Sequence, residues 1–214
     1  MRTDLFVKIC GITRSEDADL ACELGASALG FIFWDGSPRC VDARQAKAIA
    51  HQKPGHVSAV GVFVNESPAR IRELVDEVGL NAVQLHGNET AAMCNDLLRA
   101  SGPGTPALAV IKAVGLTDNT RPVLDQFDER VVILLDAHDP VRHGGTGRRV
   151  NWELARNVAA SRRTILSGGL NPDNVKEAAE TVHPFGLDVS SGVESNPGIK
   201  DAAKLRRFFE ALND

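Results

Sequence analysis

The sequence predicts an α/β protein, a single-domain (β/α)₈ TIM barrel over residues 1–214. Three observations carry that prediction. Short, continuously apolar runs alternate eight times with segments of helical periodicity, and strict βα alternation over eight units favours a closed barrel over an open sheet. The runs lack the polar alternation of half-exposed strands, as expected when both faces are covered. The first βα turn, Cys10-Gly11-Ile12-Thr13-Arg14, lacks the Gly-x-Gly-x-x-Gly pattern usual at that place in an open doubly wound sheet.

Taken in order, the first strand is Leu5–Cys10, and Gly11 permits the turn after it. Ser15 opens a helix whose Glu16, Asp17 and Asp19 suit the positive end of the helix dipole, and Gly25 is its C′ glycine. Ala28–Phe33 is the second strand. Trp34–Cys40 is a loop holding Gly36, Ser37, Pro38 and Arg39, and Asp42 caps a helix over Ala43–His51. Val57–Phe63 is the third strand, and Ser67-Pro68 supplies a cap and an N1 proline for a helix that runs to Gly79. Asn81–Leu85 is the fourth strand, followed by His86-Gly87 and a helix over Glu89–Ala100.

Ser101–Pro106 reads as a turn, and Ala107–Ala113 as the fifth strand. The next helix, about Thr120–Phe127, is weak because Pro122 lies near its start. Val131–Leu135 is the sixth and most apolar strand, and it ends at Asp136. A polar loop containing Gly144-Gly145-Thr146-Gly147 reaches Val150 and is a candidate lid. Asn151 caps a helix over Trp152–Ser161. Thr164–Leu166 is the seventh strand, ending in Ser167-Gly168-Gly169, and Asn171-Pro172 starts the seventh helix. Gly186–Val189 is the eighth strand, followed by Ser190-Ser191-Gly192, and Lys200–Leu212 is the last helix.

Composition removes several classes of function. A net charge of −4 without a basic block leaves no electrostatic footprint for nucleic acid. No apolar stretch approaches the roughly 18–20 residues of a membrane span, and no signal peptide precedes the first strand. Neither nucleic acid nor membrane is expected as a partner. The four cysteines, Cys10, Cys22, Cys40 and Cys94, form no Cys-x-x-Cys pair and suit neither a zinc site nor a disulfide scaffold. A reducing, cytoplasmic setting follows. The chain is expected to act as a monomer or a homodimer.

Barrels of this type do their chemistry at the C-terminal strand ends. The ends here carry Cys10, His86, Asp136, Ser167 and Ser190, with Arg39 in the second βα loop. Lys8 and Cys10 share a strand face, as do Gln84 and His86, and Asp188 and Ser190. With polar side chains turned to the barrel mouth, these groups converge there. Gly168-Gly169 and Ser190-Ser191-Gly192 follow the seventh and eighth strands, where barrels often hold phosphate through backbone N–H groups. Neither loop has a lysine or arginine, so amides and hydroxyls would carry that binding.

Cys10 beside Lys8 reads as a base, because nearby positive charge lowers a thiol's pKa. Asp136, behind five apolar residues, reads as a desolvated acid. A base and an acid three strands apart suit an isomerisation by proton transfer. Each residue also has a plainer role open to it. Cys10 can be a small buried hydrophobe, Asp136 a loop anchor, and Arg39 a solvated surface group. His86 can touch a ligand or tie down a loop, and Trp34, Phe33 and Phe63 can wall a pocket or fill the core.

Nine segments raise the chemical reading. They are Val7-Lys8-Ile9-Cys10-Gly11-Ile12-Thr13, Ser37-Pro38-Arg39, Gly61-Val62-Phe63-Val64, Val83-Gln84-Leu85-His86-Gly87 and Leu134-Leu135-Asp136-Ala137, then Gly144-Gly145-Thr146-Gly147, Leu166-Ser167-Gly168-Gly169-Leu170, Asp188-Val189-Ser190-Ser191-Gly192-Val193-Glu194 and Pro197-Gly198-Ile199-Lys200-Asp201. In this order, over nearly the whole chain, they resemble the phosphoribosylanthranilate isomerase family of tryptophan biosynthesis. The resemblance implies an Amadori rearrangement of a small phosphosugar, N-(5-phosphoribosyl)anthranilate, without metal or cofactor. It implies Cys10 as the base at C2′, Asp136 as the acid at the furanose oxygen, and Arg39 on the anthranilate carboxylate. It implies Gly168, Gly169, Ser190, Ser191 and Gly192 around the phosphate. Gln84, His86 and Asp188 are counted as further substrate-binding residues. One departure is Val150-Asn151-Trp152, where the family often reads Phe-Asp-Trp; asparagine caps a helix equally well.

Three rivals remain at this stage. A phosphosugar aldolase or epimerase would use Lys8 or Lys112 as a Schiff-base amine. The two-aspartate isomerase of histidine synthesis would want an aspartate where Cys10 stands. A non-catalytic barrel would bind a phosphometabolite without turnover.

Overall fold

In the computed structural model, which describes residues 5–99, 108–117, 120–136 and 151–213, the apolar runs close into a ring. Strand β1 (Phe6–Cys10) pairs in parallel with β2 (Ala28–Ile32) on one side and β8 (Gly186–Val189) on the other, and that second pairing closes the sheet. Between them, β3 (Ser58–Phe63), β4 (Ala82–Leu85), β5 (Ala109–Gly115), β6 (Val132–Asp136) and β7 (Thr164–Leu166) follow in chain order. The helices are α1 (Ser15–Glu23), α2 (Ala43–Ala50), α3 (Pro68–Val78), α4 (Ala91–Arg99), α5 (Thr120–Leu124), α6 (Trp152–Ala159), α7 (Val175–Val182) and α8 (Ala202–Asn213). No described helix is long and apolar enough to cross a membrane.

Strand alternation divides the apolar residues into two cores. Inside the ring lie Ala28, Val60, Ala82, Ile111, Ala113, Val132, Leu134 and Ile165, with Phe6 and Phe185 stacked against them. Between the sheet and the helices lies the larger core, which includes Ile9, Leu29, Phe31, Phe63 and Phe208. The predicted caps form. Asp42 accepts from the Gln45 amide at 2.7 Å, Ser67 from Arg70 at 3.2 Å, and Asn151 from Glu153 and Leu154 at 3.0 and 3.2 Å.

Several boundaries differ from the sequence reading, each for a local reason. Strand β5 runs on to Gly115 because it stays in register with β6 as far as Asp136. Helix α4 starts at Ala91, because Glu89 is buried and takes up Lys112 and the Gly87 amide. Helix α7 starts at Val175: Asn171 and Asn174 bond back onto the loop backbone and form a turn ahead of it. Helix α8 starts at Ala202 because Lys200 belongs to an unforeseen antiparallel hairpin, β9 (Glu194–Asn196) with β10 (Ile199–Lys200). The Ser101–Pro106 turn, the Gly144–Gly147 loop, Ala107 and Val150 lie outside the described residues.

The expected weak helix is short. Helix α5 spans five residues, and the turn after it hangs on one side chain from the far side of α6. Arg162 donates to the carbonyls of Leu124, Phe127, Asp128 and Val131 at 2.9–3.4 Å. The substitution Arg162→Met keeps the aliphatic stem and leaves those carbonyls without their cation. It should lower stability by about 2–3 kcal/mol, seen as a lower urea midpoint at unchanged slope.

Candidate active site

The C-terminal rim of the barrel opens on a cleft of about 470 Å³. Cys10, Trp34, Arg39, Gln84, His86, Asp136, Ser167, Asp188 and Ser190 line it. Beside it is a recess of about 30 Å³ formed by Gly168, Gly169, Leu170, Ser191 and Gly192, which shares Asp136, Ser167, Asp188 and Ser190 with the cleft. The residues singled out from sequence as catalytic or substrate-binding, Cys10, Arg39, Gln84, His86, Asp136, Gly168, Gly169, Asp188, Ser190, Ser191 and Gly192, therefore line this mouth or its recess. Of the three candidate wall aromatics, only Trp34 lines it. Phe33 and Phe63 stack on each other, with ring centroids 5.4 Å apart, on the helix side of the sheet.

Cys10 ends β1 with 5% of its surface exposed. Across the sheet it faces Gly30, where a Cβ would lie 2.9 Å from Cys10 Sγ and 3.1 Å from Lys8 Cε. Glycine there makes room for the thiol. Its alternation with inward-facing Ala28 was the signal that could have revealed it.

Beneath Cys10, Lys8 has no exposed surface, and its ammonium donates to Asp188 Oδ1 at 2.7 Å. This reverses the expectation of an acidic thiol. Burial pushes the Cys10 thiol above its ordinary value; Lys8 pulls it down, but Asp188 pushes it up again. Lys8 also loses its place as a Schiff-base candidate. Burial opposes its charge, yet Asp188 and Cys10 outweigh burial and raise its pKa, so the amine stays protonated. Lys112 points the other way, donating to Leu85 O, Gly87 O and Glu89 Oε2 at 2.7–3.2 Å, and it does not line the cleft.

Asp136 ends β6, buried to 7% exposure. His86 Nε2 lies 3.2 Å from its Oδ2, and His86 Nδ1 lies 2.9 Å from Gln84 Nε2. With the Gln84 amide donating to Nδ1, the imidazole carries its proton on Nε2 and donates it to Asp136. His86 thus ties down the Asp136 carboxylate while also lining the cleft. Gln84 Oε1 and Ser190 Oγ, both on cleft-lining residues, are buried without a hydrogen-bond partner.

Arg39 lies across Gly11, where φ is +72° and a Cβ would lie 2.6 Å from Arg39 Cδ. Its Nε donates to both Glu194 oxygens at 2.9 and 3.1 Å, and its Nη2 to Oε2 at 2.7 Å. One edge of the fork is therefore taken from within, and the Nη1–Nη2 end remains for a ligand. Glu194 and Lys200 were missed as functional residues. Both are buried charges in quoted motifs, but no local pattern connects Glu194 to Arg39, 155 positions away.

The recess is backbone-built. Gly168 and Gly169 both have positive φ, 84° and 68°, and residues Ser191–Val193 form a 3₁₀ turn. A Cβ on Gly192 would lie 1.8 Å from Leu170 O, so the seventh and eighth loops touch there with no space for a side chain. Among the described residues, no group of His, Cys, Asp and Glu has the arrangement of a metal site.

Comparison with known proteins gives a consistent result. Residues 7–211 match the family model described as N-(5'phosphoribosyl)anthranilate (PRA) isomerase. The N-(5'-phosphoribosyl)anthranilate isomerase of Pelobacter propionicus is 47% identical over 209 residues, 97% of this chain and 95% of that one. The crystal structure of phosphoribosyl anthranilate isomerase from Thermotoga maritima superposes with a TM-score of 0.87 at 40% identity, covering 98% of both chains. A second solved phosphoribosyl anthranilate isomerase, in complex with reduced 1-(o-carboxyphenylamino)-1-deoxyribulose 5-phosphate, has a TM-score of 0.84 at 39% identity, again over 98% of both chains.

The raised Cys10 pKa has a direct readout. A thiol protonated at neutral pH reacts through a thiolate fraction that grows about tenfold per pH unit up to its pKa. Alkylation of Cys10 by iodoacetamide, followed on its peptide by mass spectrometry, should climb steadily from pH 7. Its midpoint should lie above the ordinary 9.0.

Proposed function

The chain belongs to the N-(5'-phosphoribosyl)anthranilate isomerase family and isomerises that phosphosugar in tryptophan biosynthesis, and from this premise we propose how its residues divide the chemistry. The observation that supports the assignment is that Cys10, at the end of β1, and Asp136, at the end of β6, line one cleft with Arg39, and that the glycine recess shares Asp136 with this cleft.

Arg39 takes the anthranilate carboxylate on its Nη1–Nη2 end. The phosphate sits in the recess on the amides and hydroxyls of Gly168, Gly169, Ser190, Ser191 and Gly192. The ribose then spans the space between Cys10 and Asp136. Asp136 gives a proton to the furanose oxygen as the C1′–O bond breaks, and the nitrogen lone pair forms a C1′=N iminium. Cys10, as thiolate, removes the C2′ proton, and that electron pair moves to form the C1′=C2′ enolamine. Tautomerisation gives the ketone, 1-(2-carboxyphenylamino)-1-deoxyribulose 5-phosphate. The electron count is internal to the substrate, so the sequence of steps calls for no outside oxidant or reductant.

The resting thiol first gives its proton to solvent, and the thiolate so formed, stabilised by the Lys8 ammonium, is the species that takes the C2′ proton. Asp188, with Oδ1 on Lys8 and Oδ2 3.4 Å from Ser167 Oγ, acts through that lysine. Gln84 and His86 act through Asp136: a proton donated to its Oδ2 stabilises the carboxylate left after proton transfer. This reading takes residues 1–214 as one barrel domain, with one complete site per chain in a monomer or a homodimer. Four free cysteines support a cytoplasmic place of action.

The test is turnover of phosphoribosylanthranilate, followed by loss of anthranilate-type fluorescence. Cys10→Ser and Asp136→Asn should each lower kcat by roughly 100-fold or more; an unimpaired Cys10→Ser would remove Cys10 as the base. Gly192→Ala forces apart the two recess loops. It should raise KM by about tenfold or more through lost phosphate contacts, with kcat less affected.

A further inference from the structure

We propose that Glu194 is a specificity-determining positioning residue: it clamps one edge of the Arg39 guanidinium so that the other end accepts a single carboxylate on the substrate's aromatic ring. This rests on the assignment of Arg39 to that carboxylate.

The geometry carries the argument. Arg39 is a long side chain on a loop, and alone it would sample many rotamers. Glu194 removes that freedom with three hydrogen bonds of 2.7–3.1 Å to Nε and Nη2. Glu194 is itself fixed, buried at 6% exposure and accepting from Lys200 Nζ at 2.8 Å and from the Gly198 amide at 3.3 Å. Burial opposes its charge, but Arg39 and Lys200 outweigh burial and hold the carboxyl ionised.

Lys200 then ties this clamp to the base. Its Nζ also donates to Cys10 O at 2.6 Å and to Ser190 O at 3.4 Å. Three donor contacts from one nitrogen require the ammonium form. Burial holds its pKa below the ordinary value, with Glu194 the chief group opposing that shift, so the ammonium depends on the Glu194 carboxylate. Two cations thus face one carboxylate, and the cluster lacks one negative charge beside the cleft. A ligand carboxylate on Arg39 supplies it. Because the same lysine holds the Cys10 carbonyl, the carboxylate is located relative to the thiol that must reach C2′.

Two stable reduced product analogues, one with the ring carboxylate and one without it, separate this from a general structural role. Their Kd values are measured by calorimetry on wild type, Glu194→Gln, Glu194→Asp and Arg39→Ala. Wild type should prefer the carboxylated analogue by about 100-fold, and both Glu194 variants by about tenfold or less. The aspartate, one methylene short, cannot span both guanidinium nitrogens and provides the reading if the glutamine variant does not fold. The ratio of two Kd values on the same protein is insensitive to the folded fraction, and a merely structural role would weaken both analogues alike. A wild-type ratio retained in a folded Glu194 variant, with Arg39→Ala losing it, overturns the proposal alone. A ratio retained in Arg39→Ala removes the assignment of Arg39, and this proposal falls with it.

Discussion

The arrangement depends first on a charge that has no contact with water. Lys8 lies inside the ring with none of its surface exposed, and it remains there as an ammonium because Asp188 sits opposite it in register on β8. Removing one partner of such a pair leaves a buried uncompensated charge, a penalty of about 3–5 kcal/mol. The pair therefore couples a property of the fold to a property of the site. It lies across the seam where β8 meets β1, and it puts a positive charge directly below the thiol of Cys10. Gly30, by having no side chain, leaves the space in which lysine and thiol stand together.

The rim above holds the two groups proposed to react, Asp136 and Cys10, by two sets of hydrogen bonds. On the β6 side, Gln84 and His86 hold Asp136 through a chain of hydrogen bonds. On the β1 side, Lys200 holds the backbone of Cys10, and Glu194 joins that lysine to Arg39. The proposed acid, base and carboxylate site are each held by other side chains, buried at Gln84, Glu194 and Lys200 and partly buried at His86. Proton transfer at carbon benefits from such preorganisation, because the reacting atoms need not be aligned anew in each encounter.

What sequence could reveal follows from the range of the forces involved. Strands, caps and the strand-end residues obey rules within a few positions of one another, so β1 to β8 and the caps at Asp42, Ser67 and Asn151 were legible. The β9–β10 hairpin has strands of three and two residues, too short to show a period. The direction of the Cys10 pKa was misread for a related reason. Lys8 is two positions away and visible, whereas Asp188, which neutralises it, is 180 positions from that lysine. The burial that dominates the shift is a property of the whole ring. The Glu194–Arg39 clamp is likewise a product of closure and leaves no local trace.

The contact between Lys200 and the Cys10 carbonyl also orders events in time. A ribosome makes β1 well before the β9–β10 hairpin. Until residue 188 emerges, Lys8 has no counter-charge, and until residues 194 to 200 follow, neither Arg39 nor Cys10 has its support. The nascent chain thus carries the Cys10 thiol without its supports until Asp188 and Lys200, 180 positions from Lys8 and 190 from Cys10, have been made. The β9–β10 hairpin is therefore the part of the chain that completes the supports of Arg39 and Cys10.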